Sequence, residues 1–174
     1  MPMNTRTRIR RTKIQREAEG YLELGMAEHA LRALGRLGDP AEFNSNTLYL
    51  WGEGLRALER FYEALMPLER AAKAAPDDIR VRIALGWCYK RTGRLDLAID
   101  ALEQALIVEP EEALLRYNLA CYLSLAGRKR RALRYLSQAF AIDPAYRELA
   151  EAETDFDSLR NDPEFQAICA AVSR

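Results

Sequence analysis

A single histidine, His29, stands in 174 residues, so the side chain most used for proton transfer near neutral pH is almost absent. Cysteine is scarce too. Cys88, Cys121 and Cys169 are odd in number and lack Cys-x-x-Cys spacing, which argues against a disulfide framework. With no secretory context, reduced thiols in a cytoplasm are expected. The basic N-terminal start lacks the apolar segment of a leader, so no signal peptide is read. No run approaches about 18 consecutive apolar residues, so no membrane-spanning helix and no membrane partner are expected. Net charge is lacking as well. Lys and Arg total 26, Asp and Glu total 26, and nothing global drives the chain toward nucleic acid. No His-Glu-x-x-His, calcium-loop, Gly-x-Ser-x-Gly or P-loop spacing occurs. No catalytic residue, cofactor or metal is therefore expected. Gly52-Glu53-Gly54-Leu55-Arg56-Ala57 loosely matches a dinucleotide fingerprint. That motif needs a strand before it and a helix starting at its glycines, and here it falls inside an expected helix.

What the chain has is a period. Ala30, Ala64, Ala98 and Ala132 recur every 34 residues, and Leu34, Leu68, Leu102 and Leu136 keep the same beat. Ala18, Gly52, Gly86 and Ala120 are small, while Tyr21, Leu55, Tyr89 and Leu123 are large. Two helices of a hairpin approach closely where one carries little side chain and the other fills the space. Gly25, Gly93 and Gly127 mark a turn, with Glu59 in their place in the second copy. Pro76, Pro110 and Pro144 close three copies, and a Gly38-Asp39-Pro40 break shortens the first. A fixed period of this length predicts an all-α right-handed solenoid of four helix-turn-helix repeats with a C-terminal capping helix. The repeats fall at 11–44, 45–78, 79–112 and 113–146, after a flexible basic tail at 1–10 and before a cap at 147–174. First helices are expected near 11–24, 45–58, 79–92 and 113–126, and second helices near 27–38, 61–74, 95–108 and 129–142. Pro67 predicts a kink or late start in its helix. In the cap, a short helix is expected near 145–153. Asp162-Pro163 starts a last helix with Phe165, Ile168 and Val172 on one face.

The small-x-x-Tyr pattern, the Ala-x-x-x-large pattern and the closing proline resemble the tetratricopeptide repeat (TPR). The third copy carries the resemblance best, through Leu85, Gly86, Tyr89, Gly93, Ala98, Leu102, Ala105 and Pro110. Arg82 and Arg116 depart from it, where the family prefers a large apolar residue, whereas Leu48 keeps the rule.

The resemblance implies that first helices line a concave groove for a peptide or helix. By register its lining includes Tyr49, Glu53, Arg56, Arg80, Ile83, Trp87, Lys90, Tyr117 and Asn118, and on the flanks Gln15, Arg16, Glu19, Leu50 and Cys121. Tyr49, Trp87 and Tyr117 are the expected anchors, and Arg56, Arg80 and Lys90 are expected to steer acidic groups. A TPR subclass that grips a C-terminal carboxylate needs Lys and Asn at set positions. Here those positions hold Ile83 and Trp87 beside Asn118, so that grip is not expected. The function that follows is a non-catalytic protein-interaction module, whether scaffold, adaptor or chaperone-like. Its partner is a protein or peptide, and it is a monomer or weak homo-oligomer.

Two alternatives stand beside it. One is a self-assembling subunit joined through charged ends. Arg6, Arg8, Arg10, Arg11, Lys13 and Arg16 gather at the start, and Glu148, Glu151, Glu153, Asp155, Asp157, Asp162 and Glu164 near the end. The other is a weak nucleic-acid binder using the Arg128-Lys129-Arg130-Arg131 cluster with Arg134. Aromatic residues are not interleaved there as base stacking wants.

Overall fold

A computed structural model describes residues 5–171. Among them every regular element is helical, and none is long and apolar enough to cross a membrane. The chain divides into two compact units, 1–92 and 93–174.

The first unit holds α1 (Thr5–Glu23), α2 (Ala27–Gly35), α3 (Ser45–Ala57), α4 (Phe61–Ala74) and α5 (Ile79–Arg91). The second holds α6 (Leu95–Val108), α7 (Ala113–Leu125), α8 (Lys129–Ile142), α9 (Tyr146–Ala152), a 3-10 segment at Thr154–Leu159 and α10 (Pro163–Ala170). From α3 to α8 each helix starts where the period places it and ends within a residue of the expected end. The first hairpin differs. α1 starts at Thr5, so residues 5–10 of the expected flexible tail are helical, and residues 1–4 lie outside the described residues. Arg10 explains part of this, since its guanidinium donates to the Arg36 carbonyl at the end of α2. α4 also runs unbroken through Pro67 with no late start, and Pro67 is buried within it.

Caps fix the helix starts. Asn44 accepts from the Thr47 amide ahead of α3, Asp78 from the Arg80 amide ahead of α5, and Glu112 from the Leu114 amide ahead of α7. Asp162 accepts from Glu164 and Phe165 with Pro163 just inside α10. Val172 of the expected apolar face lies outside the described residues. Phe165 is buried and Ile168 half-buried.

The periodic residues are the core. Ala30, Ala64, Ala98 and Ala132, with Leu34, Leu68, Leu102 and Leu136, are all 0% exposed. The small positions are needed for contact. A Cβ on Gly52 would sit 2.5 Å from Leu68 Cγ, and one on Gly54 would sit 2.7 Å from Leu31 Cδ2. Arg82 and Arg116, the two departures from the family pattern, share one purpose. Each reaches back to a prolyl carbonyl, Arg82 to Pro76 and Arg116 to Pro110, and so ties the turn that precedes its own helix.

The turn after each first helix is left-handed. Gly25, Gly93 and Gly127 have φ of 71°, 76° and 69°, and Glu59 matches them at 59°. A side chain in this region costs about 1–2 kcal/mol, partly offset because glycine loses more freedom on folding. Glu59→Gly is therefore expected to raise stability by roughly 0.5–1 kcal/mol, seen as a higher urea midpoint with an unchanged slope. A lower midpoint would contradict the strain.

Candidate functional site

In the first unit α3 packs against both α1 and α5, so these three helices present one face. Tyr49, Glu53, Arg56, Arg80, Ile83 and Trp87, all expected in the groove, line one cavity there of about 230 Å³, together with Ala84. A second cavity, about 280 Å³, shares Tyr49, Glu53 and Arg80 and adds Glu19, Leu22, Glu23 and Leu50. Helical spacing explains the grouping: Tyr49, Glu53 and Arg56 lie on one stripe of α3, and Arg80, Ile83 and Trp87 on one stripe of α5.

Trp87 is the open apolar surface of the site at 38% exposed. The Lys90 ammonium lies 5.4 Å from its ring centroid, and the Arg80 guanidinium lies 4.8 Å from that of Tyr49. The arginines expected to steer acidic groups are already engaged. Arg56 forks onto Glu53 through bonds of 2.7 and 2.9 Å, and Arg80 forks onto Asp78 through bonds of 3.0 and 2.7 Å. The Arg80 guanidinium holds the Asp78 carboxyl below its usual range. Each of these two guanidiniums thus has a carboxylate partner within three residues of its own position, which weakens the field expected of it.

Burial pushes the Tyr49 phenol up to about 12, helped by the Glu53 carboxylate and opposed by Arg80. Burial also pushes the Cys88 thiol, beneath the same face, up to about 11. Both groups keep their protons in the folded state at pH values where the unfolded chain loses them. Their contribution is whole below about pH 9 and falls as pH rises toward 12. Denaturant melts at pH 8 and pH 10.5 are expected to show lower stability at the higher pH, with a smaller difference in Tyr49→Phe. An equal difference in that variant would remove Tyr49 from the cause.

Tyr117 is not an open anchor. It is 6% exposed, with its ring 4.9 Å from that of Tyr146 and 5.9 Å from that of Phe156. The 3-10 segment packs on α7 and closes over Tyr117 and Cys121, leaving Asn118 half-buried. Arg160 holds that segment down by donating to the carbonyls of Ala150 and Glu153 at 2.9 and 2.6 Å. Here Cys121, Glu153 and Asp155 bring ligand-type atoms within 4.8 Å of one another. Sequence spacing gave no sign of this group, because α7 and the cap meet only in the fold. The Glu153 carboxylate is engaged in capping, accepting from the Asp155 amide. His29 is exposed, with its ring 5.5 Å from that of Tyr21.

A tetratricopeptide-repeat family model matches residues 43–106. No curated protein gives a significant sequence match. Among solved structures, YrrB, a TPR protein with an unusual peptide-binding site, is similar at 25% identity and a TM-score of 0.69, covering 78% of this chain and 70% of YrrB. MamA AMB-1 is similar at 21% identity and a TM-score of 0.73, over 92% of this chain and 90% of MamA. A double mutant of MamA RS-1 reaches 0.75 at 19% identity, over 96% and 94%. The MamA likeness speaks for the fold alone. The 34-residue period, the buried alanine and leucine ladder, the matched segment and these folds agree: residues 43–106 match tetratricopeptide repeats, and the fold is of the all-α solenoid class.

Proposed function

We propose that this protein is a non-catalytic interaction module that holds a peptide or helix of another protein on the face formed by α1, α3 and α5. The observation that carries this reading is the Tyr49–Ile83–Trp87 cavity, an apolar recess whose flanking charges are paired off by their own neighbours. Such a recess takes a large apolar side chain at low ordering cost. The peptide-binding site of YrrB supports a ligand of the same kind on this repeat fold.

The neighbouring cavity sets the polarity of the ligand. Glu19 and Glu23 form no ion pair among the described residues, while Arg80 beside them is matched by Asp78. The complementary peptide carries a basic residue next to its apolar anchor. A library of random twelve-residue peptides displayed on phage, selected on the purified protein, tests both parts. Enrichment of Trp, Phe or Leu adjacent to Lys or Arg is expected. Enrichment of acidic residues would refute the polarity, and failure to recover any peptide competed by a soluble winner would refute the groove.

A further inference from the structure

The basic cluster at 128–134 is resolved by the fold into two groups with different roles. Arg128 pairs with Asp96 at 2.5 Å, Lys129 pairs with Asp162, and Arg131 pairs with Glu103. Those three charges brace α8 against α6 and the start of α10. Arg130 and Arg134 form no ion pair among the described residues. They are one turn apart on α8 and line a cavity of about 460 Å³ between α8 and α10. Arg147 joins them on the wall, with its guanidinium 5.1 Å from the Phe140 ring centroid. Leu133, Phe140 and Ile168 supply apolar wall and Ser137 a hydroxyl, while Glu164 is the one acid among the lining residues.

Like charges one turn apart on a helix repel. An anion seated among them removes that repulsion and gains forked hydrogen bonds, which guanidinium makes to carboxylate and phosphate alike. The volume lies in the range of small-molecule sites, about 300–1,000 Å³. We propose that this cavity binds an organic anion, with a carboxylate or phosphate head held by Arg130, Arg134 and Arg147 and an apolar body against Leu133, Phe140 and Ile168. The site lies in the second unit and shares no residue with the Trp87 face.

Titration calorimetry on the whole protein, with phenyl phosphate, phenylacetate and inorganic phosphate at constant ionic strength, tests this. At least one of the two organic anions is expected to saturate at one per chain, and phenyl phosphate to bind more tightly than inorganic phosphate. The tighter of the two organic probes identifies the head group. In Arg130→Gln/Arg134→Gln the affinity should fall about tenfold or more. Both side chains are exposed, so helicity by circular dichroism should be unchanged. Arg128→Gln, which removes a paired charge outside the cavity, should leave binding intact. The proposal is overturned if neither organic anion saturates or if the double variant binds as well as the wild type. Inorganic phosphate binding as tightly as phenyl phosphate would overturn the apolar half of the site.

Discussion

Leu68→Ala is expected to lower stability by about 2–5 kcal/mol, and Gly52→Ala should change sign between the two backgrounds. Leu68 is fully buried, and it fills the space that Gly52 leaves on the facing helix. In the wild type an added Cβ at Gly52 would meet Leu68 Cγ at 2.5 Å. That atom is a branch point rather than a flexible end, so the two helices must part. The cost is about 1–3 kcal/mol. Once Leu68 is alanine the clash is gone. What remains is the replacement of a mid-helix glycine by alanine, which favours the helix by about 1 kcal/mol. Gly52→Ala is therefore destabilising alone and stabilising on Leu68→Ala. Urea melts of the four proteins measure the coupling, and additive effects would mean that Gly52 and Leu68 do not share the packing site.

Trp87→Ala should abolish most peptide binding while leaving the helical content intact. Its indole is the large apolar group of the α1, α3 and α5 face that remains open to solvent, and removing a central aromatic anchor from an interface costs roughly 2–4 kcal/mol, about 30-fold or more in affinity. Little of the fold depends on it, since Val81, Ala84, Leu85 and Cys88 supply the buried side of α5. Fluorescence anisotropy with a phage-selected peptide, read beside circular dichroism, separates the two effects. Unchanged affinity would move the site off this face. Tyr117→Ala is the contrasting case: it removes a buried ring packed on Tyr146 and Phe156, so it should damage stability rather than recognition.

Where sequence and structure part, the cause is side-chain contact that a repeat period does not encode, local in the ion pairs and long-range in the cap. The period is local and repetitive, so it reported helix starts, the alanine and leucine ladder and the left-handed turn, including the odd Glu59. Helical spacing likewise grouped Tyr49, Glu53 and Arg56 with Arg80, Ile83 and Trp87. It did not report what those charges do once folded, because a guanidinium at an apparent groove position finds a carboxylate three or fewer residues away. Nor did it report that the cap folds back over α7, which hid Tyr117 and assembled Cys121, Glu153 and Asp155. The departures at Arg82 and Arg116 were visible as anomalies, but their purpose needed the prolyl carbonyls in place.

The segment around Phe156 that covers Tyr117 can be viewed as a ligand already docked. It is attached to the chain it occupies, so its local concentration at α7 is on the order of millimolar. A free peptide present at micromolar levels would compete for that surface at a disadvantage of about a thousandfold before any difference in contacts is counted. Tethering thus makes the α7 surface a poor place for recognition by outside chains, whatever its aromatic content.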